Sequence, residues 1–129
     1  MKIFISALLL LLHLACFAQT WVPFGVGQDG DRFFYDPSSL SWQGKTFKIT
    51  ILGNYKDPLK IQGGLAFSHK AESIIDCIKP REKIISLVAY PKLNAQGIAL
   101  GSSHSTKPVW EALEEDSVIN DLRAKFCSV

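Results

Sequence analysis

The side chains best suited to chemistry in this sequence are few. They are three cysteines at 16, 77 and 127, the histidines His69 and His104, and the acidic run Glu114, Glu115 and Asp116. Zinc sites draw on closely spaced Cys and His ligands. Here no CxxC occurs, and His69 and His104 stand apart from each other and from both later cysteines, so no metal site is expected. A hydroxyl nucleophile needs a base and a structural context that exposes it. Ser68 precedes His69 and Ser103 and Ser105 flank His104, but no G-x-S-x-G elbow accompanies them, and a solvated serine-rich loop explains the pattern. The three neighbouring carboxylates precede a helical pattern, where negative charge is favourable near the positive end of the dipole. Asp29 and Asp31 flank Gly30 without the regular ligands and closing glutamate of a calcium loop, so a hairpin turn accounts for them. The sequence therefore points away from catalysis and requires no cofactor. The competing reading is a periplasmic small-ligand or haem binder, with His69 or His104 as the haem ligand, and a secreted enzyme inhibitor is the third.

The first cysteine belongs to a different problem. Lys2 is followed by an apolar run from Ile3 to Leu12, about 15 Å of helix against the ~30 Å of a bilayer core. That length, with small residues after it, describes a secretory signal peptide over residues 1–18 and not a resting membrane anchor. Cys16 and Ala18 place compact side chains three residues and one residue before the bond between Ala18 and Gln19, the expected cleavage site. His13 fits poorly in a lipoprotein signal. Cys16 would then be discarded, and the product would be periplasmic or secreted, without a transmembrane segment.

Cleavage leaves Cys77 and Cys127 as the two thiols of an exported chain, and two thiols admit one disulfide. Closing a loop of roughly 50 residues contributes about 4 kcal/mol by chain-entropy reasoning. The remaining chain is long enough for one domain with a real core and short for two. With 14 basic and 12 acidic residues scattered along the full sequence, the chain carries no single-sign arm for nucleic acid or a membrane surface.

The elements that must position these residues are mostly short strands. Trp21 to Val26 should form a hairpin with Asp31 to Tyr35 across Gly27-Gln28-Asp29-Gly30. Asp36-Pro37-Ser38-Ser39 reads as a tight corner before Leu40 to Gln43. Thr46 to Tyr55 alternates, with Phe47, Ile49, Ile51 and Tyr55 on one side, which is the signature of a half-buried strand. Lys56 to Gly64 reads as a loop. Leu65 to Ile78 and Lys83 to Tyr90 read as strands, and Ile98 to Ser102 as a weaker one. Val118, Ile119, Leu122 and Phe126 then recur at helical spacing behind a cap at Asp116 or Ser117. The expected fold is α+β: a single antiparallel sheet of five to six strands, with a C-terminal helix packed on one face and tied by the disulfide. The aromatics Trp21, Phe24, Phe33, Phe34, Tyr35 and Trp42 are expected to serve the core of this domain.

Several of these features occur together in a known order. Trp21, the Tyr35-Asp36-Pro37-Ser38-Ser39-Leu40 corner, Asp76-Cys77 with Arg81 shortly after, Trp110 and a terminal helix finishing in Cys127 resemble the surface-adhesin protein E-like domains of proteobacteria. The resemblance covers the whole chain from Gln19 to Val129. It implies an antiparallel sheet whose concave face is covered by a disulfide-tethered helix. It also implies an envelope protein of the adhesin type, with a host matrix or serum protein as partner; the family's name-giving member binds such proteins and haem. The chain differs from the family pattern in three places: it has no lipobox, Ile74-Ile75 precede Asp76-Cys77, and Glu114-Glu115-Asp116 stand at the helix entry.

A partner surface is also legible in the strand faces. Ile75 and Cys77 alternate with Ile74 and Ile78, and Ile85 and Leu87 alternate with Ile84, Val88 and Tyr90, so both faces of these strands are apolar. One helix covers one face only. The face opposite Cys77, with Ile74, Ile78, Ile84, Val88 and Tyr90, is therefore the expected interaction patch, used either by a protein partner or by a second copy in a homodimer.

Overall fold

A computed structural model describes Gln19 to Ser128; residues 1–18, with Cys16 and the bond after Ala18, lie outside the described residues. Seven strands form one antiparallel sheet: β1 (Val22–Val26), β2 (Arg32–Gln43), β3 (Thr46–Ile61), β4 (Gly64–Asp76), β5 (Arg81–Tyr90), β6 (Gly101–His104) and β7 (Glu111–Ala112). The first six follow chain order across the sheet, and β7 pairs with the beginning of β5. One helix, α1 (Val118–Cys127), follows.

Turn chemistry sets the strand limits. Between β1 and β2, Gly27 N–H donates to Asp31 O at 2.8 Å, and the Asp31 carboxylate accepts from Lys56 N–H at 3.0 Å. The Asp36 corner does not break its strand as expected. Its carboxylate accepts from the backbone and hydroxyl of Ser38, while Ser39 Oγ donates to Asp36 O and accepts from Thr50 N–H at 2.8 Å. These bonds satisfy the backbone across a register shift, so the corner is a bulge within one long β2.

The loop expected at Lys56 to Gly64 is likewise strand. After an irregularity between Asn54 and Leu59 that accommodates Pro58, Leu59 pairs with Ala66 and Ile61 with Gly64. The hairpin closes at Gly63 and Gly64, whose φ values of 107° and 138° suit glycine. Toward the C-terminus, β6 begins three residues later than the strand expected from Ile98, and the two-residue β7 forms where sequence patterning placed no element.

The core lies between the sheet and α1. Phe47, Ile49, Ile51 and Ile75 are buried with Tyr35 from the sheet and Leu122 from the helix. Phe126 adds ring contacts at 5.3 Å to Tyr35 and 5.5 Å to Phe47. Burying side chains of this size contributes about 1.5–3 kcal/mol each. Ser117 is the helix cap, its Oγ accepting from Asn120 N–H at 3.2 Å. Cys127 at the other end of α1 is bonded to Cys77, with Cα atoms 5.4 Å apart. Arg123 reinforces that junction by donating to Asp76 O at 2.7 Å and Cys77 O at 2.9 Å.

Candidate binding surface

The helix covers only part of the sheet face it packs on. Its contacts run to Tyr35, Phe47, Ile51 and Ile75, and Ile119 marks the edge of the covered area. Beyond it, on the β4–β5 half of the same face, Ile84 and Leu87 are 39% and 40% exposed. Their common orientation comes from a bulge. Glu72 pairs with Ser86 and Ser73 with Ile84, so Ile85 is the extra residue of β5 and is turned to the other side. Two clefts follow: about 150 Å³ bounded by Phe33, Ile84, Leu87 and Ile119, and about 230 Å³ bounded by Tyr55, Leu59, Ile61, Leu87 and Ala89.

His69 lies in the wall of both clefts. Its ring sits against Gly53, where even a Cβ would fall 2.3 Å from His69 Cε1, so only glycine leaves space for the imidazole. Phe33 and Tyr55 flank it, with ring centroids 6.4 Å and 5.3 Å away. Nδ1 is buried without a hydrogen-bond partner among the described residues. Burial holds the His69 pKa below its ordinary 6.5, against the opposing pull of the Asp31 charge, so the ring is neutral at pH 7. Nearby, burial and then the charge of Glu111 push the Glu82 pKa upward; the two carboxylates face each other across the β5–β7 pair.

Ile74, Val88 and Tyr90 are half-buried on the face away from the helix. There the apolar surface is interrupted by the Lys48–Glu72 ion pair at 3.2 Å and by Lys70, whose Nζ lies 5.8 Å from the Tyr90 ring centre. Ile78 is 70% exposed in the turn after β4, and Ile84 is on the helix side. His104 is exposed on β6, paired with Ser86. Among the described residues no three or more His, Cys, Asp and Glu are placed to hold a metal ion.

The model of the surface-adhesin protein E family matches residues 21–128, almost the whole described chain. The chain belongs to this family. Among solved structures, Haemophilus influenzae protein E is similar at 13% identity and a TM-score of 0.62, covering 84% of this chain and 83% of that one. Protein E from non-typeable Haemophilus influenzae gives 14% identity and a TM-score of 0.62, covering 84% of this chain and 75% of that chain. At such identity the likeness is one of fold. No curated protein matches the sequence.

In this adhesin E domain five of the residues that carried the resemblance, Asp76, Cys77, Arg81, Trp110 and Cys127, meet at one end of the sheet. Burial alone would raise the Asp76 pKa, but Ile78 N–H, Arg81 Nε at 2.8 Å and Lys79 N–H together hold it below its ordinary value. Trp110 in turn receives Arg81 at 4.3 Å and Lys83 at 4.4 Å from its ring centre. This network fixes the β4–β5 turn next to the disulfide. Sequence reasoning missed the Gly53–His69 seat, because no signal in either residue announces that two adjacent strands bring them together. No helix among the described residues is long and apolar enough to cross a membrane.

Proposed function

We propose that the chain is a non-enzymatic binding module of the cell envelope, exported by a leader over residues 1–18 cut before Gln19. Its protein partner docks on the open half of the helix side, around Ile84 and Leu87. The observation that carries the reading is the apolar surface left uncovered beside α1: two large side chains about 40% exposed, with two apolar clefts that share Leu87. Family membership supports a surface role, and a host matrix or serum protein is the partner class it suggests. The face carrying Ile74 and Val88, broken by charges, is the secondary candidate for a partner or for self-association.

Pull-down from host serum with the oxidised domain, repeated with Ile84→Lys plus Leu87→Lys and with Ile74→Lys, tests the assignment. A partner retained by Ile74→Lys and lost by the double variant is expected; the reverse pattern moves the interface to the other face. Solution mass of the same proteins decides whether the partner is a second copy. Haem is the second reading, favoured by the unpartnered imidazole nitrogen of His69 beside an apolar cleft. It requires a Soret band on haem addition that is abolished in His69→Ala and kept in His104→Ala.

A further inference from the structure

On the face away from the helix, the segment after β5 crosses back over the sheet and is held in an uncommon backbone conformation. Asn94 and Ala95 both have positive φ, 62° and 55°, which alanine rarely adopts without support. The support is specific. Asn54 accepts from Asn94 N–H and donates to Asn94 Oδ1, both at 2.9 Å, while fully buried Ser68 accepts from Ala95 N–H at 2.9 Å and donates to Lys92 O. So pinned, the segment forms one wall of an open cup of about 530 Å³, whose other walls are Gln19, Trp21 and Phe34. This is the one described cavity above within the usual 300–1,000 Å³ of small-ligand sites.

We propose that this cup binds a neutral saccharide, independently of the protein-docking surface on the opposite face. A sugar ring presents a C–H face and a rim of hydroxyls that both donate and accept. Trp21 and Phe34 offer half-buried aromatic surface to the first. Asn94 and Gln96 offer amides, and Gln19, whose NH₂ group already donates to Asp36 at 2.8 Å, offers its carbonyl, to the second. Asn94 uses its carbonyl on Asn54, which leaves its NH₂ group to donate to a ligand. No charged side chain is among the lining residues, and the α-amino group of Gln19 in the cleaved chain can donate to a hydroxyl, so a neutral polyol is accommodated. The rigid setting of Asn94 and Ala95 fixes the amide wall before binding and so reduces the ordering cost.

Saturation-transfer NMR with lactose, N-acetyllactosamine, cellobiose and maltose at millimolar concentration tests the proposal on the domain beginning at Gln19. Transfer to at least one of these sugars is expected, with shift changes at the Trp21 indole and the Gln96 side-chain amide. Trp21→Ala should weaken binding about tenfold, the equivalent of one well-packed aromatic contact. Asn94→Gly keeps the positive φ and removes the amide, and should also weaken binding. Trp42→Ala, at an exposed tryptophan tilted against Phe47 with ring centroids 5.1 Å apart and outside the cup, should leave it unchanged. Absence of transfer to all four sugars in the folded domain overturns the proposal, as does binding that survives both Trp21→Ala and Asn94→Gly. Should Trp21→Ala lower the melting temperature, Asn94→Gly decides alone.

Discussion

Along the helix side of the sheet, two neighbouring regions are built from similar side chains and held differently. Under α1, Phe47, Ile49, Ile51 and Ile75 meet Leu122 and Phe126, and the junction is closed by a disulfide and by the two Arg123 hydrogen bonds. A strand away, Ile84 and Leu87 are equally apolar but meet no second layer. What separates a core from a binding surface here is the reach of one short helix. Covering β1 to β3 and the Ile75 end of β4 leaves the β5 side to be completed by something else.

The largest effect should come from freeing the covered half. Replacing Cys77 and Cys127 together by serine should cost about 4 kcal/mol of unfolding free energy, because the unfolded chain regains the freedom of a long loop. Urea denaturation of the oxidised and variant domains measures it, and unchanged stability would show that Arg123 and packing alone hold the helix. Next in size, Leu122→Ala should cost about 2–5 kcal/mol, as for fully buried leucines, whereas Leu87→Ala should cost below about 1 kcal/mol. Equal costs by the same measurement would erase the distinction between the halves.

The smallest effect is a pH dependence confined to the open half. The folded-state pKa of His69 lies below 6.5, so on acidification through 6.5 the unfolded chain takes up a proton that the folded chain refuses. Stability should therefore fall as pH drops from 6.5 toward the folded value. Glu82 has the opposite sign: its raised pKa lowers stability as pH rises from 4.5 through the folded value. The readout is thus the difference between the wild-type domain and His69→Phe, in melting temperature against pH. It should widen in favour of the variant below pH 6.5, and a constant difference would place the imidazole in water.

Much of the covered half was legible from local pattern. The alternation of Phe47, Ile49 and Ile51 specified one buried strand face, and the spacing of Ile119, Leu122 and Phe126 specified the helix stripe. The cysteine pairing followed from having two candidates. The open half was less legible because its geometry depends on partners distant in sequence. Nothing in Lys83 to Tyr90 marks Ile85 as a bulge, no glycine or proline being present, so which isoleucine faced the helix could not be read. The hairpin arm beyond Asn54 pairs despite Pro58, since β4 supplies the hydrogen bonds that local propensity disfavours. Strand β7 exists where Trp110 meets Arg81 and Lys83, a contact invisible in local sequence. The sugar cup was hidden for the same reason: Trp21, Phe34 and Asn94 come from three separate segments.

The order of strands has a kinetic consequence. Through β6, each strand pairs with the one before it, so the meander assembles by closing short loops, each an entropically small step. Docking α1 is different, because Cys127 must return across 50 residues to Cys77. The local pairings of the meander are therefore expected to form before the helix docks, and reduction of the Cys77–Cys127 bond should loosen α1 before it loosens the sheet.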